Sequence, residues 1–145
     1  PANIGRATTR GIELSAQGKI CDHYLGWRGG YTWQQASDDV TGSRLVRRAR
    51  PRASLDLMSE PVKGLLLGAG MTYSAGVEDN DFSVFPSVRK ELDSVVLLRA
   101  YCSYQLNDNV SLHGRVENLL DRTYEEIANY PGRGLGVFGG MRVRW

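Results

Sequence analysis

No stretch of this chain is both long and apolar. The longest such run, LLLGAGM at 65–71, falls far short of the roughly 18 to 20 continuous residues that a membrane-spanning helix requires. A helical span is thereby excluded. A strand span stays open, because a transmembrane strand needs only about 9 to 11 residues of alternating character. Cysteine is scarce too. Cys21 and Cys102 are far apart and fit no metal-ligand spacing, so both are expected unpaired, Cys102 as a small apolar residue on a strand face. The two histidines, His23 and His113, have no Cys or His partner at ligand spacing. No Ser-His-Asp or paired-carboxylate constellation is present, so neither catalysis, nor a metal, nor a cofactor has residues to rest on. A net charge of +2 argues against a dedicated nucleic-acid binder.

What the chain has is alternation. Seven segments carry one apolar and one polar parity, and almost nothing follows a helical period. They are TTRGIELSA (8–16), YLGWRGGYTWQ (24–34), RPRASLDLMS (50–59), GLLLGAGMTYS (64–74), DSVVLLRAYCSYQL (93–106), NVSLHGRVEN (109–118) and the closing LGVFGGMRVRW (135–145). In the fifth, Val96, Leu98, Ala100, Cys102, Tyr104 and Leu106 share a face, opposite Arg99, Tyr101, Ser103 and Gln105. In the last, Gly139, Met141, Val143 and Trp145 oppose Gly140, Arg142 and Arg144, and the pattern runs to the final residue. The fold class expected is all-β, an antiparallel meander of about seven strands.

The connections alternate as strictly as the side chains. AQGKICD, SEPVKG and LNDN are short, whereas QASDDVTGSRLVRR, GVEDNDFSVFPSVRKEL and LLDRTYEEIANYPGRG are long and polar. A soluble sandwich has no need of this; an outer-membrane barrel, with tight periplasmic hairpins and long external loops, does. Trp33, Tyr73, Tyr104 and Trp145 fall near strand ends on the apolar parity, where an interfacial belt would place them. Arg28, Arg99, Arg115, Arg142 and Arg144 share the polar parity with Glu13, Asp56 and Glu117. In a wide hydrated lumen these can pair while the other parity meets lipid. The competing readings are a soluble β-sandwich binding module and a small free-standing outer-membrane barrel with a structural or adhesive role. The first would bury the apolar parity against a second sheet. The second would need an even number of strands.

Two charged stretches read as solvated loop. VEDND (77–81) has acidic density but lacks the glycine turn and bidentate glutamate of a calcium loop. Arg44, Arg47, Arg48, Arg50 and Arg52 lack interleaved aromatics and read as a loop descending into a strand rather than a phosphate site. His23 reads as a turn residue.

The closing stretch ENLLDRTYEEIANYPGRGLGVFGGMRVRW resembles the C-terminal end of a TonB-dependent outer-membrane receptor of the cobalamin or siderophore type. Asn118, Leu119, Asp121 and Tyr124 match the first element of that family's pattern, Tyr130, Pro131, Gly132 and Arg133 the second, and Trp145 the terminal aromatic. NIGRATTRGIEL and TGSRLVRRARPR are similar to the family's strand opening and to an external loop with paired arginines. Such receptors carry an N-terminal plug domain, a TonB box and about twenty-two strands. The resemblance therefore implies that residues 1–145 form the C-terminal portion of a larger barrel, without plug or leader, located in the bacterial outer membrane. It implies uptake of a scarce small-molecule nutrient, cobalamin or a ferric siderophore, with TonB and the plug engaged through other parts of the receptor. Further partners implied are lipid, lipopolysaccharide and the barrel assembly machinery, whose signal would be Gly139, Met141, Val143 and Trp145. Asn118 to Tyr124 are expected to fix a strand-to-loop transition. Arg99, His113, Arg115 and Glu117 are expected to face the lumen, the plug or the substrate.

Overall fold

The computed structural model describes residues 6–20, 25–46 and 51–145. Seven long strands form one antiparallel sheet: β1 (Ala7–Ile20), β2 (Leu25–Asp38), β3 (Arg52–Val62), β4 (Leu65–Ser74), β7 (Val95–Asn107), β8 (Val110–Glu117) and β11 (Gly136–Val143). Each pairs with the next in chain order, so the sheet is a meander with β1 and β11 at its two edges. Two short hairpins, β5 (Glu78–Asp81) with β6 (Val88–Glu91) and β9 (Glu125–Ile127) with β10 (Tyr130–Pro131), stand outside the sheet. The sequence pattern gives these hairpins as loop. Strands of ten and eleven residues, such as β4 and β3, match the length needed to cross a bilayer, and β1 and β2, with fourteen each, exceed it.

The register keeps the two parities separate across all seven strands. One row runs Gly18, Trp27, Leu57, Ala69, Ala100, Val116, Val137. The adjoining row runs Gln17, Arg28, Asp56, Gly70, Arg99, Glu117, Gly136. A slip of one residue would mix them; none falls in the body of the sheet, and the two register shifts lie at the short-turn end, between Ser59 and Val62 on β3 and between Gln105 and Asn107 on β7. The sheet thus has one continuous apolar face and one continuous polar face.

Among the described residues nothing covers the apolar face. Leu55, Leu67 and Val143 remain 38%, 43% and 47% exposed, and among the described residues no second sheet lies over them. The total accessible surface is 10856 Å², against about 7,400 Å² for a compact monomer of this mass. The described residues form no sandwich interior, the competing expectation.

Short and long connections sit at opposite ends. At one end Lys63 and Gly64 link β3 to β4, and Asp108 and Asn109 link β7 to β8. Gly64 takes a φ of +84°, and Asn107 Oδ1 accepts the Asn109 and Val110 amides at 3.0 and 2.9 Å. The β1–β2 turn, with Cys21 and His23, lies outside the described residues. At the other end are the long connections 39–51, 75–94 and 118–135. The closing strand is shorter than the sequence pattern indicates. It ends at Val143; Arg144 still exchanges backbone and side-chain bonds with Asn109, both at 2.8 Å, whereas Trp145 extends beyond the ladder, fully exposed.

Candidate functional site

The polar face gathers its charges around mid-height. Arg99 on β7 and Asp56 on β3 are separated by β4, yet Arg99 Nη2 reaches Asp56 Oδ1 at 2.5 Å. Gly70, between them in register, makes this possible. A Cβ there would lie 2.4 Å from Asp56 Oδ1 and 2.6 Å from Arg99 Nε. One row lower, the Tyr101 ring lies over Gly68 in the same manner, within 2.1 Å of where a Cβ would stand. Two glycines on β4 thus clear a floor on which an ion pair and an aromatic ring lie flat. Arg115 Nε pairs with Glu117 Oε1 at 3.3 Å and stacks over Phe138 at 4.6 Å, with Arg133 on the same ring at 5.7 Å.

Of the polar-face residues singled out by sequence, Arg99, Arg115 and Glu117 line one concavity of about 310 Å³ with Arg28, Asp56 and Tyr101. His113 does not line that concavity and meets only Arg115 of the three. It lies in the adjoining hollow of about 510 Å³ with Tyr101, Phe138 and Gly140, its Nε2 3.0 Å from Ser111 Oγ. Sequence reasoning missed Asp56 as the partner of Arg99, and Phe138 as the ring that two arginines share. Parity placed Asp56 on this face and could have placed Phe138 there; only the register gives the pairings.

The family-motif residues meet in a knot at the top of β8. Asn118, 5% exposed with a φ of +50°, donates through Nδ2 to the Arg122 and Arg133 carbonyls at 2.9 and 3.0 Å. Its Oδ1 accepts the Arg122 amide at 2.9 Å. Asp121 Oδ1 accepts the Leu135 amide at 2.8 Å, and the Gly132 amide bonds the Tyr124 carbonyl at 2.7 Å beneath the Tyr124 ring. Burial, and then the Glu126 carboxylate, push the Tyr124 phenol pKa up, so it remains protonated. Leu119 and Tyr130 stand apart with exposed side chains, although the Leu119 amide bonds the Leu98 carbonyl at 2.9 Å.

The acidic stretch 77–81 is not a solvated loop. Asp79 is 1% exposed, and its Oδ2 accepts the Ala128 amide at 2.9 Å. Between the limbs of 75–94 and 118–135 lies a cavity of about 590 Å³, lined in part by Lys90, Asp93, Arg122, Tyr124 and Glu125. Among the described residues no group of three or more His, Cys, Asp or Glu could hold a metal ion. Of the arginine run, Arg44 and Arg52 are described, and Arg47, Arg48 and Arg50 lie outside the described residues.

Comparison with known proteins points one way. A family model described as "TonB dependent receptor-like, beta-barrel" matches residues 1–119. The vitamin B12 transporter BtuB of Vibrio cholerae is 27% identical over 130 residues, covering 88% of this chain and 20% of that protein. BtuB of Photobacterium profundum is 28% identical over 130 residues, covering 90% and 20%. The chain spans about one fifth of the length of these relatives. Among solved structures, the ferric enterobactin receptor PfeA in complex with BCV-L6 has a TM-score of 0.82 at 22% identity, covering 97% of this chain and 23% of that one. The ferripyoverdine receptor of the outer membrane of Pseudomonas aeruginosa gives 0.74 at 20% identity, covering 94% and 19%. At these identities the structural likeness is one of fold.

Proposed function

The chain belongs to the TonB-dependent receptor-like β-barrel family, and from that premise we propose that it forms a sector of an outer-membrane receptor wall for uptake of a scarce nutrient, cobalamin or a ferric siderophore. One observation carries the reading. A single seven-stranded sheet holds its leucines uncovered on one side and its ion pairs on the other. That division is stable where lipid meets the first side and a hydrated lumen meets the second. The names of the BtuB relatives support the nutrient class.

In this reading 39–51, 75–94 and 118–135 are external loops and the two-residue turns are periplasmic. Arg99, Arg115 and Glu117, with His113 lower on the wall, face the plug or the passing ligand. Asn118, Asp121, Tyr124, Gly132 and Arg133 set the path of the last loop rather than touch ligand. Gly139, Met141, Val143 and Trp145 serve as the assembly signal. TonB and the plug engage through other parts of the receptor.

The test is sidedness in intact cells producing the full-length protein, with Cys21 and Cys102 replaced by Ser. A membrane-impermeant maleimide is expected to label Ser83→Cys and to spare Asp108→Cys. Equal labelling of both would overturn the topology. Uptake of labelled cobalamin and of a ferric siderophore by the same cells separates the two nutrients, and uptake of neither would sink the transport reading.

A further inference from the structure

We propose that the connections 75–94 and 118–135 form one mechanically coupled body, fastened also to Arg44, with the β5–β6 hairpin as its keystone and Asp79 as the central tie. The tie is a nearly inaccessible carboxylate whose Oδ2 accepts the Ala128 amide from the β9–β10 turn at 2.9 Å, while its Oδ1 accepts the Asn80 amide at 2.8 Å. Ala128 is itself buried, so without Asp79 its N–H would be a buried donor with no acceptor, a costly state.

Further bonds between the same two hairpins surround this one. Lys90 Nζ donates to Glu125 Oε2 at 2.8 Å and to Asn129 Oδ1 at 3.5 Å. Asn129 Nδ2 donates to Asp81 Oδ1 at 2.7 Å. Asn129 has a φ of +67°, a conformation that its short amide tolerates better than most side chains. The keystone grips the first connection as well: Arg89 donates to the Arg44 carbonyl and to Glu78 Oε2, each at 2.9 Å. Leu92, also buried, closes the base of the hairpin through its amide to the Val77 carbonyl at 2.8 Å.

Segments more than thirty residues apart in sequence (78–91, 125–129 and Arg44) therefore share bonds, and those between the two hairpins cannot break singly. Swinging the β9–β10 hairpin away would break the bonds that Asp79, Asp81 and Lys90 make to it together. Opening of this side of the barrel is a concerted movement of 75–94 with 118–135, and the cavity between their limbs opens and shuts with it. The coupling is a property of these side chains. Its consequence for nutrient entry rests on the reading of these connections as the receptor's mouth.

Reciprocity is the signature of coupling. The test is hydrogen exchange by mass spectrometry on the full-length protein in phospholipid vesicles. With Asp79→Ala, amides of 125–131 are expected to exchange about tenfold faster or more. With Glu125→Gln, those of 78–91 are expected to accelerate in turn, while 65–74 and 95–107 keep their rates in both. A response confined to the substituted hairpin in either variant overturns the proposal. Should Asp79→Ala also loosen 65–74 and 95–107, Glu125→Gln decides alone, since its side chain is only partly buried. Failure here would leave the maleimide result standing, and failure of that result would leave this coupling intact.

Discussion

The wall and the connections of this protein invert the usual division of burial. In a soluble β domain the strands supply the buried side chains and the connections lie open to water. Here the buried apolar residues among those described are Ala36, Leu92 and Ala128, all at the long-connection end, and the largest fully buried side chain is Asp79. Leu55 and Leu67 of the sheet stay about two-fifths exposed. Two different sources of stability are implied. The wall rests on its backbone ladder and on the solvent that meets its apolar face. The connections rest on particular side-chain bonds that hold in water.

The largest expected effect tests the solvent. Leu57 lies at mid-strand in the apolar row and Ser54 lies on the polar parity of the same strand. In lipid vesicles, Leu57→Arg is expected to lower the unfolding free energy by about 2–4 kcal/mol, and Ser54→Arg to change it by less than about 0.5. Urea titration of the full-length protein reads both. Equal costs would mean that the two faces meet the same medium, and the comparison would collapse.

The second concerns the junction between the two regions. Asn118→Ala removes three hydrogen bonds at a buried position and is expected to cost about 1–3 kcal/mol by leaving backbone groups unpaired. Asn118→Asp separates the contributions, because a carboxylate can still accept the Arg122 amide but cannot donate to the two carbonyls. It is expected to recover only part of the loss in the same titration.

How legible these regions were in the sequence follows the same line. The wall was readable because alternation is a local signal and the register kept it intact. Leu67, Leu98 and Met141 stand on the face that their parity predicts. Strand ends were less so. β1 runs on to Ile20 through GlnGlyLys, residues that read as turn, because β2 extends to pair with them. The connections were opaque. EDND and VRKE are too short and too charged to alternate, and their structure is imposed by Ala128, Asn129 and Glu125, some forty residues away. The Arg99–Asp56 pair was hidden for a related reason: its two strands are not neighbours, and only the missing side chain at Gly70 lets the partners meet.

That pair supplies the third prediction. Gly70→Ala would place a methyl group against the far ends of Arg99 and Asp56, which can move aside. The Arg99 end of the pair is half in solvent, although Asp56 is largely covered, so loss of the pair is expected to cost about 1 kcal/mol. The effect should be smaller than that of Asn118→Ala in the same titration. A cost as large as that of Leu57→Arg would mean that the polar face, like the connections, depends on its specific bonds.

The smallest effect is the pH response of the connections. The Lys90 ammonium, ahead of the Asn129 amide, holds the Glu125 carboxyl below its ordinary value of 4.5, and the Glu125 partner raises Lys90 above 10.5. A lowered carboxyl contributes stability that is present above its ordinary pKa and lost as pH falls through the lowered one. A raised ammonium contributes stability that is present below its ordinary pKa and lost as pH rises through the raised one. The clamp should therefore hold unchanged between these limits, and exchange at 125–131 should accelerate only at the acid and alkaline extremes. A midpoint near neutrality for 125–131 would mean that some other group holds the hairpins together.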